Sequence, residues 1–190
     1  MRKVQPGRQD GLAAAAGAGV RLFYALWPDQ SVRDAIARLP LPTNGRPTPA
    51  LQYHVTLAFL GRQPVASIPQ LDAILDRLPK HSMTLQLDRF AIFRRQRILW
   101  AGMADPPPSL IALQAALREA LQQQSITLPP GAPFKPHVTL MRDIDKAQSV
   151  PAWAIPPLIW QVQEVALVAS HARPTGVGYD VLASRRLDSN

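Results

Sequence analysis

The sequence predicts a duplicated fold of two similar lobes, each built from strands and a helix. The tetrapeptide HVTL occurs twice, at 54–57 and at 137–140. Each copy closes a unit of the same order: RLFYALW (21–27), a helix, then HVTLAF, and later RILWAGM (97–103), a helix, then HVTLMR. Only four histidines occur in 190 residues, and two of them occupy these matching settings. A repeat inside a repeated context indicates internal duplication.

The elements follow in order. Arg21 to Pro28 is apolar and aromatic and reads as a buried strand. The next stretch, DQSVRDAIARL, offers Asp29 or Ser31 as N-cap and puts Val32, Ala35, Ile36 and Leu39 on one helical face. A Pro/Gly/Asn loop leads into the first histidine strand, Gln52 to Leu60. A second helix carries Ile68, Leu71, Leu75 and Leu78 as its apolar stripe. MTLQLDRFAIF and RILWAGM read as two strands of a hairpin turning at Arg94–Arg95–Gln96–Arg97. Leu110, Leu113, Leu117 and Leu121 mark the clearest helix. Pro129 to Pro133 breaks the chain before the second histidine strand, and Pro151 to Pro157 reads as a loop. IWQVQEVALVAS and GYDVLASRRL are closing strands around the turn RPTGVG.

Composition narrows the class. No apolar run is long enough to span a bilayer, so a soluble globular chain without membrane contact is expected. Cysteine is absent, which removes disulfides and thiol nucleophiles and fits a reducing cytoplasm. The formal charge is +8, with arginine dominating the basic residues. Arginine grips phosphate bidentately and stacks on bases, so an anionic partner such as RNA is a fair expectation; a GC-rich coding sequence would give the same bias. Residues 1–19, basic and then rich in Ala and Gly, lack a strong apolar core and read as a flexible extension preceding one domain over 20–190.

The repeated motif has a chemical meaning. Strand side chains alternate between faces, so in HVTL the Val and Leu point to the core while His and Thr point outward together. His54 pairs with Thr56, and His137 with Thr139. Two lobes related by an approximate twofold would line one cleft with two imidazoles and two hydroxyls. Imidazole titrates near neutrality, so such a pair supplies a general base and a general acid for in-line displacement at phosphorus. The threonine hydroxyls can donate to non-bridging oxygens, and a nearby arginine can offset developing charge.

A single HxT in a strand would mean little, since most strand histidines are only polar residues on a half-exposed face. Two in matching contexts reverse that preference. His81 and His171 read as surface residues, with His171 able to reach the cleft. Metal-binding histidines usually bring another ligand at short spacing. The nearest acids to His137 are Asp143 and Asp145, and none is close to His54 in sequence, so no metal or other cofactor is expected. Arg94, Arg95 and Arg97 fit an RNA grip and a solvated hairpin tip equally well. Arg142 follows His137 by five residues, so strict alternation turns it away; a strand end or bulge would return it to the phosphate. Trp27, Trp100, Trp153 and Trp160 read as packing residues, while Tyr53 and Phe134 are the candidates for base stacking.

With these residues in view, the chain resembles the 2H phosphoesterase superfamily, and within it the RNA 2′,3′-cyclic phosphodiesterases, also described as 2′-5′ RNA ligases. RLFYALWPD, HVTLAFLG, RILWAGM, FKPHVTLMR and LVASHARPTGVGYDVLASRRL carry the resemblance, which spans Arg21 to Leu187. It implies an α+β fold with antiparallel sheets lining a central cleft and helices outside. It also implies metal-independent opening of a ribose 2′,3′-cyclic phosphate to a 2′-phosphate, with RNA or an oligonucleotide as partner; a monomer is expected, although the sequence itself does not show the oligomeric state. His54 and His137 would be the acid/base pair, with His54 protonating the leaving O3′ and His137 activating water, though the residues themselves leave that division open. Thr56, Thr139 and Arg142 would hold the phosphate. Microscopic reversibility would let the same pair form a 2′-5′ linkage. Small cyclic nucleotide phosphates, 2′-5′ oligonucleotides, or RNA binding without catalysis are the alternatives.

Overall fold

The computed structural model describes residues 19–42, 44–128, 133–150, 157–173 and 176–188. The expected extension up to residue 18, the breaks at 129–132 and 151–156, and Trp153 lie outside the described residues.

The first unit runs from β1 (Val20–Leu26) through α1 (Gln30–Ala37) to β3 (Val55–Gln63), with the two-residue β2 (Arg46–Pro47) between. Asp29 is the cap of α1, its carboxylate accepting from the Val32 N–H at 2.9 Å. A 3-10 turn, Ala50–Gln52, delivers the chain to His54 just ahead of β3. The second unit runs from β6 (Ile98–Gly102) through α3 (Pro108–Gln123) to β7 (His137–Arg142). In each unit the first strand pairs antiparallel with the histidine strand. The units then meet where β3 and β7 share a single pair, Val55 with Val138.

The remaining strands extend both wings. The principal sheet reads β10-β9-β1-β3-β7-β6-β5, with β2 alongside β7. Here β5 is Arg89–Phe93, β9 is Glu164–Arg173 and β10 is Gly176–Arg186. Two expected strands are each divided. MTLQLDRFAIF separates at Asp88 into β4 (Met83–Leu87) and β5, and IWQVQEVALVAS separates at Gln163 into β8 (Leu158–Val162) and β9. β4 and β8 form their own two-stranded sheet, pairing Met83 with Val162, Leu85 with Trp160 and Leu87 with Leu158 along the buried side. The Asp88 carboxylate, accepting from the Ala104 N–H at 2.8 Å, anchors the point where the chain changes sheet.

One large core lies between the sheet and its helices. Leu22, Tyr24 and Leu26 of β1 meet Leu71, Ile74 and Leu75 of α2 (Ile68–Leu75), together with the four leucines of α3, Leu110, Leu113, Leu117 and Leu121. Each such leucine contributes on the order of 2 kcal/mol by leaving water. The Tyr24 hydroxyl donates to the Leu71 carbonyl at 2.7 Å, tying β1 to α2. The opposite face of the sheet carries a smaller cluster, Phe23, Ala25, Ala166 and Val168, with Trp27 and Tyr179 packed on it.

Candidate active site

That second face holds the histidines. The imidazole of His54 lies among Phe23 (ring centroids 4.9 Å apart), Trp27 (5.8 Å, near-parallel) and Tyr179 (5.3 Å, edge-on). The imidazole of His137 lies against Phe93 at 4.8 Å and Trp100 at 5.6 Å. In antiparallel pairing centred on Val55 and Val138, the flanking positions put His54 opposite Thr139 and Thr56 opposite His137. The two half-sites therefore share one pair of strands.

Both imidazoles are held in the same way. Nδ1 of His54 lies 2.7 Å from the Gln52 carbonyl, and Nδ1 of His137 lies 2.7 Å from the Lys135 carbonyl. A carbonyl only accepts, so each Nδ1 must carry the proton, and in the neutral ring Nε2 is then a bare acceptor. The electrostatics are unequal. Burial pushes His54 down to about 4, with the charges of His137 and Arg142 adding to the effect against the opposing Gln52 bond. His137 is also lowered, first by burial and then by Arg142 and Lys135. Both rings are thus neutral at pH 7 in the free protein.

The Arg142 charge bears on both histidines, and a bulge explains how it comes to their face. Trp100 pairs with Thr139, but Leu99 pairs with Met141, leaving Leu140 as an extra residue in β7. Leu140 and Met141 are consequently both buried, and Arg142 returns to the face of His137 and Thr139. The same irregularity occurs in β3, where Ala25 pairs with Thr56 and Tyr24 with Ala58, leaving Leu57 extra. There the residue five beyond the histidine is Phe59, exposed and lying beneath the Arg21 guanidinium at 5.4 Å. Both bulges fall on the leucine of HVTL.

Several sequence expectations change. Tyr53 is 4 % exposed and belongs to the main core, so it offers no stacking surface. It neighbours His54 in an extended segment, and alternation sends it to the other face. Phe134 is half-buried and packs against the same core. The rings beside the histidines are instead Phe23, Trp27, Tyr179, Phe93 and Trp100. Trp27 and Trp100, expected as packing residues, flank the two imidazoles, whereas Trp160 is core as expected. At two of its positions the arginine hairpin is engaged with the chain itself rather than a free tip. Arg97 donates to the Ile144 and Asp143 carbonyls at 2.7 and 2.9 Å, and Arg94 donates to that of Gln148 at 2.8 Å. These bonds secure the segment immediately after Arg142. His171 turns to Asp180, Nδ1 to Oδ2 at 3.4 Å, and accepts from Arg173 Nε at 2.8 Å, while His81 is exposed beside Asp188. Arg33 was missed: its guanidinium lies over Trp27 at 5.7 Å, with Nε buried. Among the described residues no group of three or more His, Cys, Asp or Glu is placed to hold a metal ion.

The profile of the 2′-5′ RNA ligase superfamily matches residues 27–174. The chain belongs to that superfamily. An RNA 2′,3′-cyclic phosphodiesterase of Escherichia coli is 34% identical, over 79% of this chain and 86% of its own length. One from Thermus thermophilus is 32% identical, over 86% and 88%. Among solved structures, E. coli LigT with 3′-AMP bound superposes with a TM-score of 0.74 at 31% identity, covering 90% of this chain and 99% of its own. The T. thermophilus structure TT0787 gives 0.76 at 29%, covering 88% and 97%. In superfamily terms the fold is α+β, largely antiparallel, with its helices on one side. No helix among the described residues is long and apolar enough to cross a membrane.

Proposed function

We propose that the chain hydrolyses RNA 2′,3′-cyclic phosphate ends to 2′-phosphates, using His54 and His137 as its acid/base pair and no metal. The observation that carries this reading is the paired arrangement of the imidazoles. Each has Nδ1 committed to a backbone carbonyl two residues upstream, and Arg142 acts on both. The relatives named as RNA 2′,3′-cyclic phosphodiesterases support the substrate.

In the proposed reaction, Nε2 of the base removes a proton from water as its oxygen attacks phosphorus. The P–O3′ bond breaks, the acid delivers its proton to O3′, and the phosphate stays on O2′. Thr56 and Thr139 donate to the non-bridging oxygens, and Arg142 offsets the charge that builds there. The resemblance assigns the acid to His54. Because burial makes His54 the harder ring to protonate in the free protein, it loads its proton once the substrate's negative charge lies beside it. With the 5′-hydroxyl of another end in place of water as nucleophile, the same ring opening, P–O3′ breaking and O3′ taking the acid's proton, would form a 2′-5′ linkage. The protein is taken to work as a cytoplasmic monomer.

The test is incubation of the purified protein in EDTA with RNA ending in a 2′,3′-cyclic phosphate. Wild type releases the 2′-phosphate, while His54→Ala and His137→Ala each lose roughly a hundredfold or more of kcat. Full activity in both variants, or turnover that EDTA abolishes and added metal restores, would sink the mechanism.

A further inference from the structure

The two imidazoles are held by the carbonyls of unlike residues at the same place in the repeat. Two positions before His54 stands Gln52; two positions before His137 stands Lys135. Lys135 bears on its histidine through charge, disfavouring the imidazolium form of His137. Gln52 is neutral and reaches elsewhere. Its Nε2 donates to the Val177 carbonyl at 2.6 Å, across 125 residues of chain.

Val177 lies near the start of β10, two residues before Tyr179. Alternation puts the two on one face of that strand, the face toward His54. β10 therefore meets the first half-site twice. The Tyr179 ring stands edge-on to the His54 imidazole at 5.3 Å, and the Val177 carbonyl holds the side chain of Gln52. This end of the β9–β10 hairpin is itself fastened. Gly178, between Val177 and Tyr179, leaves room for the side chains of His171 and Arg173, and a Cβ there would meet both. Arg173 Nε donates to His171 Nε2 at 2.8 Å, and His171 Nδ1 faces the Asp180 carboxylate at 3.4 Å.

Gln52 thus joins the reacting ring to a fixed strand. Its backbone carbonyl accepts from His54 Nδ1 at 2.7 Å while its side chain ties the same residue to β10. The Gln52 and Tyr53 N–H groups donate to the Pro49 and Ala50 carbonyls, partners within the same short segment. A three-residue 3-10 turn has poorer hydrogen-bond geometry than an α-helix, so an anchor outside the segment steadies it.

From this we infer that Gln52 is a positioning residue for His54: its side-chain bond to β10 steadies the carbonyl that keeps the ring proton on Nδ1. Whether His54 takes up a proton at Nε2 or gives one up from it, the neutral ring in that step is the Nδ1–H form. Without the bond to β10, the ring loses its fixed direction and shares its proton between the two nitrogens. The consequence for rate rests on the hydrolysis reading above; the tautomer does not.

The experiment replaces Gln52 by Met, which keeps the length of the side chain and removes its N–H donors, and in parallel by Glu, whose carboxylate only accepts. Nitrogen-15 NMR of the ring nitrogens at about pH 8, with the imidazoles neutral, reads the tautomer of each histidine. Wild type shows His54 and His137 both as Nδ1–H. In Gln52→Met and Gln52→Glu the His54 ring becomes a mixture, while His137 in the same spectrum stays Nδ1–H. On RNA ending in a 2′,3′-cyclic phosphate, kcat falls by about tenfold or more and KM stays within about twofold, because Thr56, Thr139 and Arg142 are untouched. Circular dichroism checks folding, and should Gln52→Met not fold, Gln52→Glu carries the comparison. An unchanged His54 tautomer in a folded variant, with or without a loss of rate, overturns the inference, as does an equal change in both histidines. The expected tautomer change in a protein that turns over no cyclic phosphate supports the role of Gln52 and overturns the hydrolysis reading.

Discussion

Arg142 links the two candidate histidines electrostatically. Its charge disfavours the imidazolium form of His54 and of His137 alike. A base must be neutral and an acid protonated, and both rings titrate below the ordinary imidazole value. The kcat/KM profile is therefore expected to be a bell centred below pH 6.5, with the kcat profile displaced upward because the bound phosphate favours imidazolium. Removing the positive charge raises both values, so Arg142→Gln shifts the kcat/KM bell to higher pH while lowering its height by about a hundredfold. A profile that keeps its position in that variant would show that the guanidinium does not act on the pair. His54 also links stability to pH. Its folded value, about 4, lies below the unfolded value near 6.5, so the unfolded chain binds more protons between the two. That contribution is complete above pH 6.5 and is lost as pH falls, by on the order of 3 kcal/mol down to pH 4. Thermal melts of wild type and His54→Gln across that window should converge at the acid end; parallel curves would contradict it.

At the scale of elements, the bulge at the leucine of HVTL is what turns a simple strand into a site. Alternation alone places His and Thr outward, and that much was readable from residue type and spacing. The extra residue, Leu57 in β3 and Leu140 in β7, is invisible in a list of apolar residues, because it only makes two neighbours buried where one was expected. It is this insertion that returns Arg142 and Phe59 to the cleft. The pairing register also defeats column-by-column comparison of RLFYALW with RILWAGM: Thr56 faces Ala25, while Thr139 faces Trp100, one position out of step. The β5–β6 turn then fixes what the bulge exposes. Arg97, in the left-handed region at φ 56°, grips the carbonyls of Asp143 and Ile144, directly after Arg142. Arg97→Ala should lower kcat/KM by about tenfold with little change in Tm, and should speed amide exchange over residues 143–148. Unchanged exchange there would show that the grip is not needed.

For the whole molecule, a net charge of +8 and a sheet face lined by arginine make salt a direct probe of the mode of binding. Raising salt from about 50 to about 200 mM should reduce kcat/KM for an RNA substrate by an order of magnitude or more, since counterion release drives phosphate contacts. A flat response would indicate that the basic residues serve solubility instead. The duplication was legible in full: two histidine strands, each following a strand and a helix, in a chain with little histidine to spare. The division of two long apolar stretches at Asp88 and Gln163 was not, because a strand that changes sheet keeps the same local alternation on both sides of the break. Sequence by itself determined the candidate pairing, since residue type and period two put His and Thr on one face of the strand and Val and Leu on the other. Tertiary structure alone decided that Val55 meets Val138, that three rings flank one histidine and two the other, and that the Arg142 charge bears on both. Those outcomes depend on register and packing between segments distant in the chain, which no local pattern encodes.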